Sequence, residues 1–575
     1  MLAATGVAAD DSQVRPPSVE PLSVEQASKE RVGQTLAAAL GDTVRLELRL
    51  EQGAWVELEE NRYGIDRYFV YPDAEGGFWV YGKDRNDQVL VRAQKSYRES
   101  VGTLDQLGAW PVVAWVTWQP TEAGLAIELV VSDDKALNRE LRSKALAEGS
   151  EMAIFTPRDN YYLPPELTVD ERLAGFIRLW SEVESNFAFF DQVPDLDWDQ
   201  VLIEYLPKIR GAESTYAYYG HLRRMIALLQ DGHTNVYGPD DLQRYTPPVR
   251  LVGVAGRAVV QRVSEPAQIL DPRVREEMKA AALVPGEEVV RIDGRPIREL
   301  LEQWLYPRIA SSTPQDRDLR AFPALLYGEL GSRARLEVKG LDQQLRTVVL
   351  TRSGQLPRTP RQGFAHRDLG GGLVYVNLPG FGSDRTAEQF EELLPEIHRA
   401  SGLMLDLREN GGGNSSVGYR IISHLIDRPI AGSAWKTRSY LPAMRAWGKE
   451  ETWYMGEAGR IEPAERSFPG PVVVLVGART FSAAEDFVVA LHAAERATVV
   501  GRRTGGSTGQ PLFLELPGGG RARICTKRDT YPDGRDFVGV GVIPDVEVAL
   551  TVEDLATGRD AILERGLEVL RSATR

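Results

Sequence analysis

Three short stretches of this 575-residue chain set reactive residue types in the glycine-rich, strand-ended surroundings where chemistry is done. In Leu403-Met404-Leu405-Asp406-Leu407-Arg408-Glu409-Asn410-Gly411-Gly412-Gly413-Asn414, an apolar run of the kind a buried strand shows opens into three glycines. Their backbone N–H groups can be approached closely by a substrate oxygen. Such a loop serves as an oxyanion hole, a phosphate cradle or a plain turn; no Gly-Lys-Ser/Thr follows it, which excludes a Walker A loop. The second stretch, Val472 to Phe487, reads as buried strand, short turn and helix, with Ser482 at the helix start. There the helix dipole and free N–H groups favour developing negative charge, as a nucleophile requires. Ser482-x-x-Glu485 is equally a capping box, and the Gly-x-Ser-x-Gly of an α/β-hydrolase elbow is absent. The third stretch, Tyr531 to Asp545, reads as a turn followed by a glycine-spaced strand and alone specifies nothing. Far ahead of all three stands His233, in Leu229-Gln230-Asp231-Gly232-His233-Thr234. A histidine just past a helix end is a general base or a structural residue.

The elements that must position these residues follow from periodicity. Val44, Leu46, Leu48 and Leu50 alternate, and the pattern returns over Trp110 to Ser132, so residues 31–150 read as a β-rich accessory domain behind a flexible stretch, 1–30. Trp110, Trp115 and Trp118 are core residues of these strands or a binding face. At Thr168-x-x-Glu171 a capping box opens a helical region, 165–240, whose second helix carries Leu222, Met225, Ile226 and Leu229 and is stopped by Gly232. Residues 245–355 return to short strands around Val289 to Ile292, with Pro285-Gly286 and Asp293-Gly294 as turns. This module resembles a PDZ domain, whose members hold a peptide C-terminus by strand addition. The Gly-Leu-Gly-Phe-type carboxylate loop is missing, and Val249 to Val260 is the one candidate for it. Residues 360–575 alternate buried-strand runs with helical segments, an α/β domain whose chemistry belongs at the strand ends.

In order, Asp-Leu-Arg-x-Asn-Gly-Gly-Gly, Thr-Phe-Ser-Ala-Ala-Glu, Gly-Arg-Arg-Thr-Gly-Gly and Pro-Asp-Gly…Gly-Val-Gly-Val-Ile-Pro-Asp, behind a PDZ-like module, resemble the tail-specific (C-terminal-processing) serine peptidase family over about residues 165 to 550. The resemblance implies a multidomain α+β protein with a catalytic domain of ClpP/crotonase type and Ser482 as nucleophile. The N–H of Ala483 and one from Gly411-Gly412 would form the oxyanion hole. The family's Ser-Lys branch sets its lysine inside a Thr-x-Gly-Lys-Gly segment; here Ser507 stands at that place. The tricorn-like branch takes a histidine from the helical region ahead of the PDZ domain, which makes His233 the expected base. That branch also has a serine before the histidine, where this chain has Gly232, and a late glutamate. Asp536 and Glu485 are the candidates for an orienting group, and Asp231 is a further one. The implied activity is a serine endopeptidase acting on peptides or unfolded protein ends, without metal or cofactor. Catalytically silent peptide- or lipid-binding relatives and acyl-transfer enzymes of the crotonase type share the core.

Composition bounds the rest. Net charge is −14, so a polyanion is repelled by the average surface and nucleic acid is not an expected partner. The single cysteine, Cys525, excludes internal disulfides and cysteine-clustered metal sites. No apolar stretch approaches the ~18 residues of a membrane span. Residues 1–10 hold no basic residue that would head an export signal; they read as a trimmed signal or a frayed terminus. The family's common habitat points to export, with a cytoplasmic location as the alternative, and assembly into oligomers is open.

Overall fold

The computed structural model describes the strands between Val32 and Phe155, residues 137 and 140, and then 167–238, 245–266, 269, 272–328, 332–353, 363–449 and 452–575. The chain forms two compact units, Met1–Leu163 and Pro164–Arg575. Among the described residues the first holds two sheets. One is ordered Val32–Ala38, Gly53–Leu58, Arg67–Pro72, Phe78–Lys83, Val89–Gln94, the other Thr43–Arg49, Gly124–Ser132, Val113–Thr121, Met152–Phe155. Val44, Leu46 and Leu48 face inward from Thr43–Arg49, as period-2 alternation demands. Residues 1–30 and Trp110 lie outside the described residues, as do the side chains of Trp115 and Trp118.

The second unit opens with helices α1 (Val169–Asn186), α2 (Trp198–Arg210) and α3 (Thr215–Ala227). The capping box is formed at α1. Glu171 N–H donates to Thr168 Oγ1 at 3.2 Å, and Thr168 N–H donates to the Glu171 carboxylate at 2.8 Å. Gly232, however, does not stop α3. The helix ends at Ala227, and the left-handed turn beyond it falls on Gln230, with φ 50°. Gly232 is glycine for another reason: a side chain there would come within 3.0 Å of Ser507 Oγ and 3.1 Å of the Phe481 ring.

A small antiparallel sheet comes next, ordered β1 (Val249–Val254), β2 (Arg257–Val263), β3 (Glu288–Ile292), β4 (Arg333–Lys339), β5 (Leu345–Thr351). Helices α4 (Pro272–Ala281) and α5 (Pro314–Ala324) accompany it, and its core gathers Leu251, Val260, Val289, Ile292, Leu336 and Phe322. Asp293 and Gly294 make the expected tight turn, with φ 50° and 79°. Val249 to Val260, the candidate carboxylate loop, is spent on the β1–β2 hairpin.

The last layer is a sheet ordered β6 (Ala365–Asp368), β7 (Leu373–Asn377), β8 (Gly402–Asp406), β9 (Val472–Val476), β10 (Thr498–Gly501), with Val546–Glu547 at the far edge. From β7 onward all pairings are parallel. Every residue of β7, β8 and β9 is buried, because both faces are covered. Val374, Leu403, Leu405, Val472 and Val474 face helices α6 (Ser415–Ser423) and α7 (Ala483–Ala493); Tyr375, Met404, Val473 and Leu475 face the C-terminal helix, Ala561–Ala573. The loops after β8, β9 and β10 emerge side by side at the strands' carboxyl ends, where open α/β sheets place their sites.

The glycine-spaced segment after Asp536 is a turn and not the strand its spacing suggested. Gly539 and Gly541 both have positive φ, 83° and 86°, which no extended run accommodates. Instead it backs the loop after β10: Gly539 N–H donates to Gly506 O at 2.8 Å and Val542 N–H to Thr504 Oγ1 at 2.7 Å. A Cβ at Gly541 would stand 2.5 Å from Thr504 O. Gly541→Ala is therefore expected to destabilise the second unit by about 1–3 kcal/mol, read as a lower urea midpoint; an unchanged midpoint would contradict this role.

Candidate active site

Ser482 precedes α7 in a backbone conformation that a residue with a side chain rarely takes, φ 58° and ψ −129°. Such a state costs about 1–3 kcal/mol and persists only when its surroundings hold it. Here the Ser482 N–H donates to Ser507 O and to the Glu485 carboxylate, each at 3.2 Å. Glu485 also accepts the N–H of Gly506 at 2.7 Å, the N–H of Ser507 at 3.0 Å and the Thr504 hydroxyl. Burial pushes its carboxyl up to about 8 against these donors. Glu485 is thus the cap the sequence pattern announces, and it also ties the loop after β9 to the loop after β10.

The glycine loop after β8 is fastened to the same turn. Thr480 Oγ1 donates to Leu407 O at 2.8 Å, and Phe481 N–H donates to Asn410 O at 3.1 Å. Gly412, at φ 94°, lies so close that a Cβ would sit 2.7 Å from Ser482 Cβ and 3.0 Å from the Ala483 nitrogen. Its own N–H donates to Asn410 Oδ1 at 2.9 Å. A side chain at Gly411 would meet nothing within 4 Å, so that side of the loop is open. Ala483 is the first residue of α7, whose N–H has no acceptor within the helix.

His233 arrives from 249 positions upstream, and its Nε2 lies 3.1 Å from Ser482 Oγ. Its carriage is a short antiparallel pairing of Asn235–Tyr237 with Arg521–Arg523, which joins the helical region to the strand Gly520–Cys525. The ring stacks on Phe481, with centroids 4.7 Å apart and planes 5° from parallel. Nδ1 lies 2.8 Å from Ser507 Oγ, which in turn lies 3.2 Å from Asp231 Oδ1. Arg523 and Arg320 both reach the carbonyl of Gly232, at 3.0 and 3.4 Å. Burial, and then the positive charges of Arg523 and Arg320, hold the imidazole well below its ordinary range.

The structure therefore brings Ser482, His233, Gly412, Ala483 and Glu485 together. It places Asp536 on Arg528, with hydrogen bonds of 3.0 and 2.7 Å, where Arg528 also meets Asp191. Both nitrogens of the His233 ring have hydroxyl partners, so neither Asp536 nor Glu485 orients it directly. Ser507 and Ser312 join the cluster without having been singled out as site residues. Ser507 had a signal, as a serine at a family lysine position; Ser312 sits in a loop of the small β module and had none. Among the described residues no three His, Cys, Asp or Glu side chains gather as a metal would require, and no helix there is long and apolar enough to cross a membrane.

Residues 372–548 match peptidase family S41. Over this stretch the match bears out the resemblance to the tail-specific serine peptidases. The match spans the loops after β8, β9 and β10, and with it Ser482. The chain is 26% identical to the chloroplastic C-terminal processing peptidase of Tetradesmus obliquus over 423 residues, which is 67% of this chain and 79% of the relative. It is also 26% identical to putative tricorn protease homolog 2 of Streptomyces coelicolor over 390 residues, 65% of this chain but 30% of that protein. Among solved structures, mature CPAF complexed with lactacystin superposes with a TM-score of 0.56 at 15% identity, covering 70% of this chain and 98% of that one, a likeness of fold. The protein is a serine-type peptidase.

The lowered His233 fixes a pH expectation. An imidazole that resists protonation stays neutral where free histidine, near pH 6.5, is charged. With His233 as the base, the acid limb of kcat/KM is expected well below pH 6.5. As pH falls through that value the unfolded chain takes a proton that folded His233 refuses, so this residue costs stability on the acid side. An acid limb at or above pH 6.5 would contradict the placement.

Proposed function

We propose that the protein is a serine endopeptidase in which Ser482 is the nucleophile and His233 the general base, acting on peptides or unfolded protein ends. The observation that carries this reading is the 3.1 Å approach of His233 Nε2 to the hydroxyl of a backbone-strained serine beside an open glycine loop. His233 takes the Ser482 proton as Oγ attacks a peptide carbonyl carbon. The carbonyl oxygen, now negative, is met by the N–H of Ala483 and by the Gly411-Gly412 loop, with Gly411 the better placed because the Gly412 N–H already serves Asn410. Collapse of the tetrahedral intermediate breaks the C–N bond, and His233 returns the proton to the leaving amine. Water, deprotonated by His233, then releases the acyl group. The small β module, resembling a PDZ domain, presents the substrate. Export from the cytoplasm belongs to this reading through the family's habitat.

The test is mass spectrometry of a diverse peptide mixture incubated with wild type, Ser482→Ala and His233→Ala, each confirmed folded. Each variant is expected to lose about 10³- to 10⁶-fold in kcat and the double variant little more, because the two residues act as a unit. Cleavage surviving in His233→Ala would move the base elsewhere. No cleavage by folded wild type would turn the reading towards a relative that binds without cutting.

A further inference from the structure

We infer that Asp231 and Ser507 are the positioning residues of this site, a carboxylate and a hydroxyl in series that hold His233 in the one tautomer able to accept the Ser482 proton. The inference rests on the Ser482–His233 reading and supplies the orienting group that Asp536 and Glu485 do not provide.

The protons of the cluster can be counted. Asp231 is buried, and its Oδ2 accepts from Thr234 Oγ1 at 2.6 Å while its Oδ1 accepts from Ser312 Oγ at 3.1 Å. Both hydroxyls are already acceptors from the backbone: Cys525 N–H donates to Thr234 Oγ1 at 3.0 Å and Gly232 N–H to Ser312 Oγ at 2.9 Å. Their protons are therefore directed at the carboxyl group; burial raises its pKa, and the hydrogen bonds from Thr234, Ser312 and Ser507 work against that rise in favour of the acceptor form. The remaining contact on Oδ1 is Ser507 Oγ at 3.2 Å. Two oxygens at that separation attract only with a proton between them, and an ionised carboxylate has none to give. Ser507 donates its single proton to Asp231.

The histidine then has one choice of tautomer. A hydroxyl whose proton is committed can only accept along its other contact, so the 2.8 Å contact to His233 Nδ1 is a ring N–H donating to Ser507 Oγ. With the proton on Nδ1, Nε2 presents a bare lone pair to Ser482 Oγ. In the opposite tautomer Nε2–H would point at the nucleophile and could take nothing from it. When Nε2 receives the Ser482 proton, the imidazolium charge is met through Ser507 by Asp231. The site is also built for this arrangement sterically. Gly232 leaves free the space beside Ser507 Oγ that any side chain there would contest, and Ser507 is pinned by its own N–H on Glu485.

The test reads the tautomer directly, by ¹⁵N NMR of histidine-labelled protein, with the His233 signals assigned by their loss in His233→Ala. Wild type is expected to carry the neutral-ring proton on Nδ1. In Asp231→Asn the side-chain amide can donate to Ser507, which reverses the series and moves the ring proton to Nε2. The expected cost is about 10²- to 10⁴-fold in kcat with KM little changed. Ser507→Ala is expected to lose the Nδ1 preference and a comparable part of kcat, and it keeps the question open to test should Asp231→Asn fail to fold. A wild type that cleaves peptides with His233 protonated on Nε2 would overturn the inference while leaving Ser482 and His233 in place, as would an Asp231→Asn enzyme with unaltered tautomer and kcat. Because the tautomer is read without turnover, a wild type that fails to cleave would sink the peptidase mechanism and still decide the proton's position.

Discussion

The short pairing of Asn235–Tyr237 with Arg521–Arg523 is the constraint on which everything else rests. Without it His233 belongs to a helical region with no claim on Ser482, and the residues that flank it lose their partners as well. Thr234 reaches Cys525, Asn235 takes two hydrogen bonds from Arg523, and Arg523 returns to the carbonyl beside His233. The aromatic core beneath, with Phe176, Tyr218 and Tyr219 packed in one cluster with Leu514, Leu516 and Ile524, makes the junction a continuation of the interior. A site assembled from distant segments thus gains the rigidity of one built on a single scaffold.

The second constraint is electrostatic. Two buried carboxyl groups flank the serine–histidine pair, and each is surrounded by donors. Glu485 gathers backbone N–H groups from both loops that meet at Ser482, and so maintains a strained turn. Asp231 gathers hydroxyls from the helical region, the small β module and the loop after β10, and so fixes a proton. Ser312 brings the β module into this second cluster, and Arg320 of α5 adds a hydrogen bond to the Gly232 carbonyl. The module that would present the substrate is therefore in hydrogen-bond contact with Asp231 and Gly232, the residues just before His233.

Much of this was legible in the chain because several signals are local. Buried strands show as continuous apolar runs, Thr168 and Glu171 announce a helix start, and Asp293-Gly294 announces a tight turn. Ser482 and the glycine loop could be named since each comes directly after such a strand. The illegible part depends on contacts distant in sequence. Gly232 looks like a helix stop, yet its reason for being glycine is Ser507, far downstream. The spacing of Gly539 and Gly541 resembles a strand, yet their positive φ values serve a turn that braces the loop of Ser507. Asp536 was a sound candidate by position, and only the structure shows Arg528 holding it. Ser312 has no signature at all, since an ordinary serine in a loop becomes part of a site only through packing.

The central claim is that the Ser482 hydroxyl is activated by His233. It is tested most directly by treating the folded protein with a fluorophosphonate and mapping the adduct by intact mass and peptide sequencing. A single adduct on Ser482, formed by wild type and not by His233→Ala, is the predicted result. A wild type that stays unlabelled, or a His233→Ala variant labelled at the same rate, would contradict it.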